Sequence, residues 1–74
     1  MSLRRVGDLD ERVNTGKVVE WQSPSGTRYR WERLLGRVGV ETGPGTETWL
    51  WLHEEVRDLR TARRAVFDAI NEDE

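Results

Sequence analysis

The sequence predicts an α+β domain: a three-stranded antiparallel meander followed by one C-terminal helix, with the first residues forming a short helix or an extended arm. Three observations carry that expectation. Between Lys17 and Leu52, apolar and polar residues alternate in stretches broken by turn-forming clusters, which is the period of half-buried strands. After Val56 the apolar spacing lengthens to that of an amphipathic helix. The 74 residues suffice for one domain, read as an N-terminal arm or short helix at 1–15, a sheet-plus-helix unit at 16–71 and a frayed acidic tail at 72–74.

In the opening segment Leu3, Val6, Leu9 and Val13 share one helical stripe, with Ser2 placed to cap it and Gly16 to end it. Gly7 weakens a helix by about 1 kcal/mol relative to alanine, so an extended arm competes. Residues 17–22 then read as a strand, 23–27 (Ser-Pro-Ser-Gly-Thr) as a tight loop and 28–35 as the return strand. Antiparallel pairing about Ser25 sets Trp21 opposite Tyr29 and Val19 opposite Trp31. It also sets Glu20 opposite Arg30 and Val18 opposite Glu32. The second strand is expected to run on through 36–41, with Gly36 and Gly39 marking a bend or bulge. A turn at 42–46 with Pro44 at its tip leads to a third strand at 47–52. Val38 then faces Leu50 and Val40 faces Thr48, while Trp49 and Trp51 point to the other side. Asp58 is placed to cap the helix, with Thr61 at its third position. Leu59, Ala62, Val66, Ala69 and Ile70 form its apolar stripe, with Phe67 at the border. Asn71 is expected to end it, because the carboxylates at 72–74 oppose the helix dipole.

Composition narrows the function classes. There is no cysteine, which excludes disulfides and thiolate metal sites, and the lone histidine, His53, cannot build a histidine site. No cofactor and no metal are expected. The apolar runs are too short to cross a bilayer and the first residues lack a secretory pattern, so no membrane partner and a cytoplasmic location are expected. Ser23 and Ser25 sit in a turn, and His53 has no nucleophile at a motif spacing. No enzyme is expected.

A small domain buries only about 60% of its unfolded surface, so a partner subunit or a larger docking partner is the staple left open. The four tryptophans point the same way. Val19, Trp21, Tyr29, Trp31, Trp49 and Trp51 are assigned to one sheet face, and Val38, Val40, Leu50 and Leu52 to the other. A single helix shelters one face of a sheet. The second is covered by the N-terminal segment, by a second copy of the chain or by another protein. A bend at Gly36 and Gly39 that swaps faces would instead merge the two sets into one core. The expectation is a non-enzymatic protein–protein interaction module, self-associating or docking on a larger protein through Tyr29, Trp31, Trp49 and Trp51.

The alternative partner is nucleic acid. Arg57, Arg60, Arg63 and Arg64 give the helix a basic flank, with Arg28 and Arg30 on the sheet as helpers. Local ion pairs, such as Arg64 with Asp68, would equally explain that flank. The sheet-plus-helix plan and residues 60–65 (Arg-Thr-Ala-Arg-Arg-Ala) resemble the small N-terminal DNA-binding domains of tyrosine recombinases. That resemblance implies a three-stranded sheet in the major groove, backed by one helix. Here Glu20 and Glu32 dilute the basic sheet face that such a reader needs. Residues 6–13 (Val-Gly-Asp-Leu-Asp-Glu-Arg-Val) look like the opening of some phage head–tail joining proteins.

Overall fold

In the computed structural model residues 3–42 and 49–73 are described. They form an antiparallel sheet of β1 (Asp10–Asn14), β2 (Val18–Gln22), β3 (Arg28–Glu32), β4 (Arg37–Glu41) and β5 (Trp49–His53), each strand beside the next. One helix, α1 (Leu59–Asp73), packs on one face, and a 3₁₀ turn at Val6–Asp8 precedes β1. The antiparallel sheet and single C-terminal helix match the expected class. The strand number does not: there are five, not three.

Two local events add the extra strands. Residues 10–14 pair with β2, Asp10 opposite Gln22 and Asn14 opposite Val19, so the N-terminal segment contributes an edge strand. The expected long second strand is cut at residues 33–36. Gly36, at φ 63°, donates its N–H to the Glu32 carbonyl (2.8 Å) and closes a tight turn. A left-handed residue is what stops an extended strand here, and glycine adopts it without steric cost. The chain therefore folds back on itself, and Val38 pairs with Trp31 and Val40 with Tyr29.

That reversal also overturns the expected division of faces. Val38, Val40, Leu50 and Leu52 belong with Val19, Trp21, Tyr29 and Trp31, on the side that α1 covers. Trp49 and Trp51 stand apart on the outer side. The first hairpin register is as expected, with Trp21 opposite Tyr29 and Val19 opposite Trp31. The β4–β5 register is shifted by two residues, pairing Val40 with Leu50 and Glu41 with Trp49. A shift of two preserves which side each residue faces. A bulge near Val38 leaves Leu52 as the extra residue of β5. The expected turn at 42–46, apart from Thr42, and the start of the expected third strand lie outside the described residues.

The core sits between α1 and the inner sheet face. Val19, Trp21, Tyr29, Trp31 and Val38 meet Val56, Ala62, Val66, Ala69 and Ile70, all buried, and Leu3 and Leu9 pack at its margin. The helix starts as expected: the Thr61 N–H bonds Asp58 Oδ2 at 3.2 Å and its hydroxyl bonds Oδ1 at 2.6 Å. Those bonds hold the Asp58 carboxyl below its usual value. The helix runs past Asn71 to Asp73. Instead of ending the helix, Asn71 clasps Leu3: Oδ1 accepts the Leu3 N–H at 2.7 Å, and Nδ2 donates to the Leu3 carbonyl at 3.2 Å. Val56 is gripped twice, its N–H by the Gly36 carbonyl (2.7 Å) and its carbonyl by the Trp31 indole N–H (3.0 Å). That grip stabilises the bend at Glu55, whose φ of 61° is unusual for a residue with a side chain.

Candidate functional site

Strand alternation sets Glu20, Arg28, Arg30, Glu32, Arg37, Gly39, Glu41, Trp49 and Trp51 on the outer face, away from α1. The charges there form one alternating chain. Glu41 meets Arg28 at 3.0 Å, and Arg28 meets Glu20 at 2.9 Å. Glu20 also holds Arg30 at 2.9 Å, Arg30 reaches Glu32 at 3.5 Å, and Glu32 receives Arg37 at 2.6 Å. Three guanidiniums face three carboxylates, so the face carries no net charge. Glu20 is only 8% exposed, which is tolerable for a carboxylate because two arginines bond it.

The two tryptophans border this chain of charges. Their rings stack with centroids 6.3 Å apart and planes 25° apart. Arg30 lies 5.0 Å and Arg28 5.6 Å from the Trp49 ring centre, and Arg37 lies 3.7 Å from that of Trp51. Such contacts draw the cation toward the ring's negative face. Gly39, opposite Trp51, makes the arrangement fit: a Cβ there would stand 2.6 Å from Trp51 Cε3. The indole lies flat across bare backbone. The two tryptophans, the three arginines, Glu32 and Glu41 line a shallow depression of about 410 Å³.

The structure separates the four aromatic residues expected to form one contact surface. Tyr29 and Trp31 are each 2% exposed, in the core beneath α1; Trp49 and Trp51 are half-buried on the outer side. The six arginines also divide. Arg28 and Arg30 lie in the outer charge chain, whereas Arg57, Arg60, Arg63 and Arg64 are on or next to α1. Arg63 is turned inward onto Glu11, with Nε 3.1 Å from Oε1 and Nη2 3.2 Å from Oε2. Glu11 also accepts the Trp21 indole N–H at 2.9 Å, and Asn14 bonds its other oxygen at 3.1 Å. Arg63 first, aided by these bonds, holds the Glu11 carboxyl below its ordinary value despite some burial. Arg64 pairs with Asp68 at 3.3 Å and leans over Phe67, and Arg57 and Arg60 are exposed.

Sequence reasoning missed Arg37, Gly39, Glu41 and Glu11 as members of these groupings. The expected register already sets Arg37 opposite Trp51 and Gly39 opposite Trp49. What was missing is the two-residue shift that puts Gly39 opposite Trp51, and the turn at 33–36 that sets Arg37 and Gly39 beside Glu32 and Arg30. Comparison with protein-family models, curated proteins and solved structures gives no match. The five-stranded sheet also departs from the three-stranded plan on which the likeness to recombinase domains rests. No helix among the described residues is long and apolar enough to cross a membrane.

Proposed function

We propose that this chain is a protein-docking module, acting by binding rather than by catalysis, with Trp49 and Trp51 at the centre of its contact surface. The observation that carries this is the position of the stacked pair outside the helix-covered core, on a face whose charges cancel. Tryptophan and arginine are the residue types most enriched among energetically dominant contact residues, and here they adjoin. Phosphate recognition needs an excess of positive charge, which this face lacks. Tyr29 and Trp31 support the surface from below and do not touch the partner.

The test compares capture from the source cell by wild type, by Trp49→Ala/Trp51→Ala and by Arg57→Ala/Arg60→Ala/Arg64→Ala, each confirmed as folded by circular dichroism. A protein captured by wild type, retained at high salt and lost with the tryptophan variant is the expected result. Capture of nucleic acid that is lost with the arginine variant, or falls steeply with salt, would replace the docking proposal by the nucleic-acid one.

A further inference from the structure

We infer that the partner binds by adding an extended segment to the open edge of β5, in the groove between β5 and α1, and that this segment is basic on its helix-facing side. The inference rests on the docking role proposed above and specifies its mode.

The backbone geometry makes β5 an acceptor. Ser23 N–H bonds the Thr27 carbonyl at 2.8 Å and Arg33 N–H bonds that of Lys17 at 2.9 Å. These bonds mark the odd-numbered residues of β2 and β3 as those whose backbone groups face each other. In an antiparallel ladder the pairing alternates, so Arg30 turns toward Gly39, and Val40 turns toward Leu50. The Val56 N–H bond to the Gly36 carbonyl lies on that same side of β4. Trp49 and Trp51 are therefore the residues whose N–H and C=O groups point away from β4, along an edge that no described strand pairs.

The two edges of the sheet differ in how they are guarded. β1 carries Asp10, Glu11 and Arg12 and a register break between Glu11 and Val13, features that discourage strand addition. β5 runs Trp-Leu-Trp-Leu-His, without a charge or a proline. Leu50, 56% exposed, faces the helix side at this margin.

Beside β5 lies a groove of about 570 Å³, floored by Leu52, Val56, Ala65 and Ala69. Its rim carries Glu54, Glu55, Asp68 and Glu72 against one guanidinium, that of Arg64, which already pairs with Asp68. An incoming strand sends alternate side chains to opposite faces. Lysine or arginine stems suit the apolar floor, with their heads reaching the carboxylates. The alternate positions would then lie beside Trp49 and Trp51 and suit apolar side chains. A second copy of β5 brings no lysine or arginine to this rim, so charge complementarity favours a foreign segment rich in those residues.

The test uses synthetic heptapeptides that alternate lysine or arginine with valine or isoleucine, and counterparts with glutamate in the basic positions. Binding is read by fluorescence anisotropy, and the site by amide chemical shifts. The expected results are binding of the basic peptides, perturbation of the Trp49 and Trp51 amides, and loss of binding on N-methylating one alternate set of peptide amides but not the other. Asp68→Lys/Glu72→Lys, both on the exposed helix flank, should weaken binding on the order of tenfold. Four outcomes would overturn the inference: no binding up to about 1 mM, equal binding of acidic peptides, indifference to N-methylation, or a concentration-dependent dimer that buries the β5 edge. If these peptides fail while protein capture still depends on Trp49 and Trp51, the docking surface stands and only the strand-addition mode falls.

Discussion

Placing a methyl group on Gly39 tests whether Trp51 is held flat on the sheet. A Cβ built there stands 2.6 Å from Trp51 Cε3, 2.9 Å from Cζ3 and 3.0 Å from the Leu50 carbonyl oxygen. Carbon atoms rest at about 3.5–4.0 Å, so the ring must lift by roughly 1 Å. Lifting it weakens the contact with Arg37, worth about 0.5–1 kcal/mol at a half-exposed site. It also disturbs the stack on Trp49, worth about 0.5–1.5 kcal/mol. Against these losses, Gly39 is not in the left-handed region, so alanine restricts the unfolded chain and returns about 0.4–1 kcal/mol. The losses win: Gly39→Ala is expected to destabilise by about 1 kcal/mol, a fall in Tm of about 4–8 °C for a chain this short. Urea denaturation reads the first figure, and near-ultraviolet circular dichroism reads the loss of the stacked pair. The discriminating control is the same change in a Trp51→Ala background, where it should be neutral or stabilising. Equal destabilisation in both backgrounds would refute the account, because the cost would then lie in the backbone.

Two further perturbations probe the joints that hold the N-terminal segment. Glu11→Gln removes the carboxylate shared by Arg63, Trp21 and Asn14 and should cost about 1 kcal/mol at neutral pH, solvent screening of the part-exposed Arg63 limiting the loss. Because the folded state holds Glu11 below its ordinary value, the advantage of wild type is fully present above that value and shrinks as pH falls through it. A stability gap unchanged between neutral pH and about pH 3 would contradict this. Asn71→Ala removes both bonds to Leu3 while gaining part of alanine's helix preference, for a net loss of about 1 kcal/mol. Amide exchange at Leu3 should quicken; unchanged protection would show that the clasp contributes little.

What the sequence revealed follows from how local each signal is. The β2–β3 hairpin was legible to the residue because a short Ser-Pro-Ser-Gly turn joins two clearly alternating strands, so pairing and face are determined together. The helix start was legible from Asp58, whose cap is a local bond. β1 was not, because an edge strand of which only Glu11 is half-buried carries no alternation to read. The break at 33–36 was hidden because Leu34 and Leu35 look like strand residues, yet they are 79% and 63% exposed at the turn. Missing that reversal moved Val38 and Val40 to the wrong side of the sheet and joined Tyr29 and Trp31 to the wrong tryptophans. Only Trp49 and Trp51 of the four expected contact aromatics are on the outer face, and Gly39 comes to lie under Trp51 only through the two-residue shift of the β4–β5 register.

The clasp between Leu3 and Asn71 also bears on engineering. Because it brings residue 3 against the last turns of the helix, a domain cut near those two points could be grafted into one loop of a host protein without parting the attachment sites. The same proximity suits a circular permutant: a short linker would join residue 3 to the last turn of the helix, and new ends would open between Leu34 and Leu35, where the side chains are exposed. Such a permutant would keep every strand pairing while making β4 the first strand of the chain.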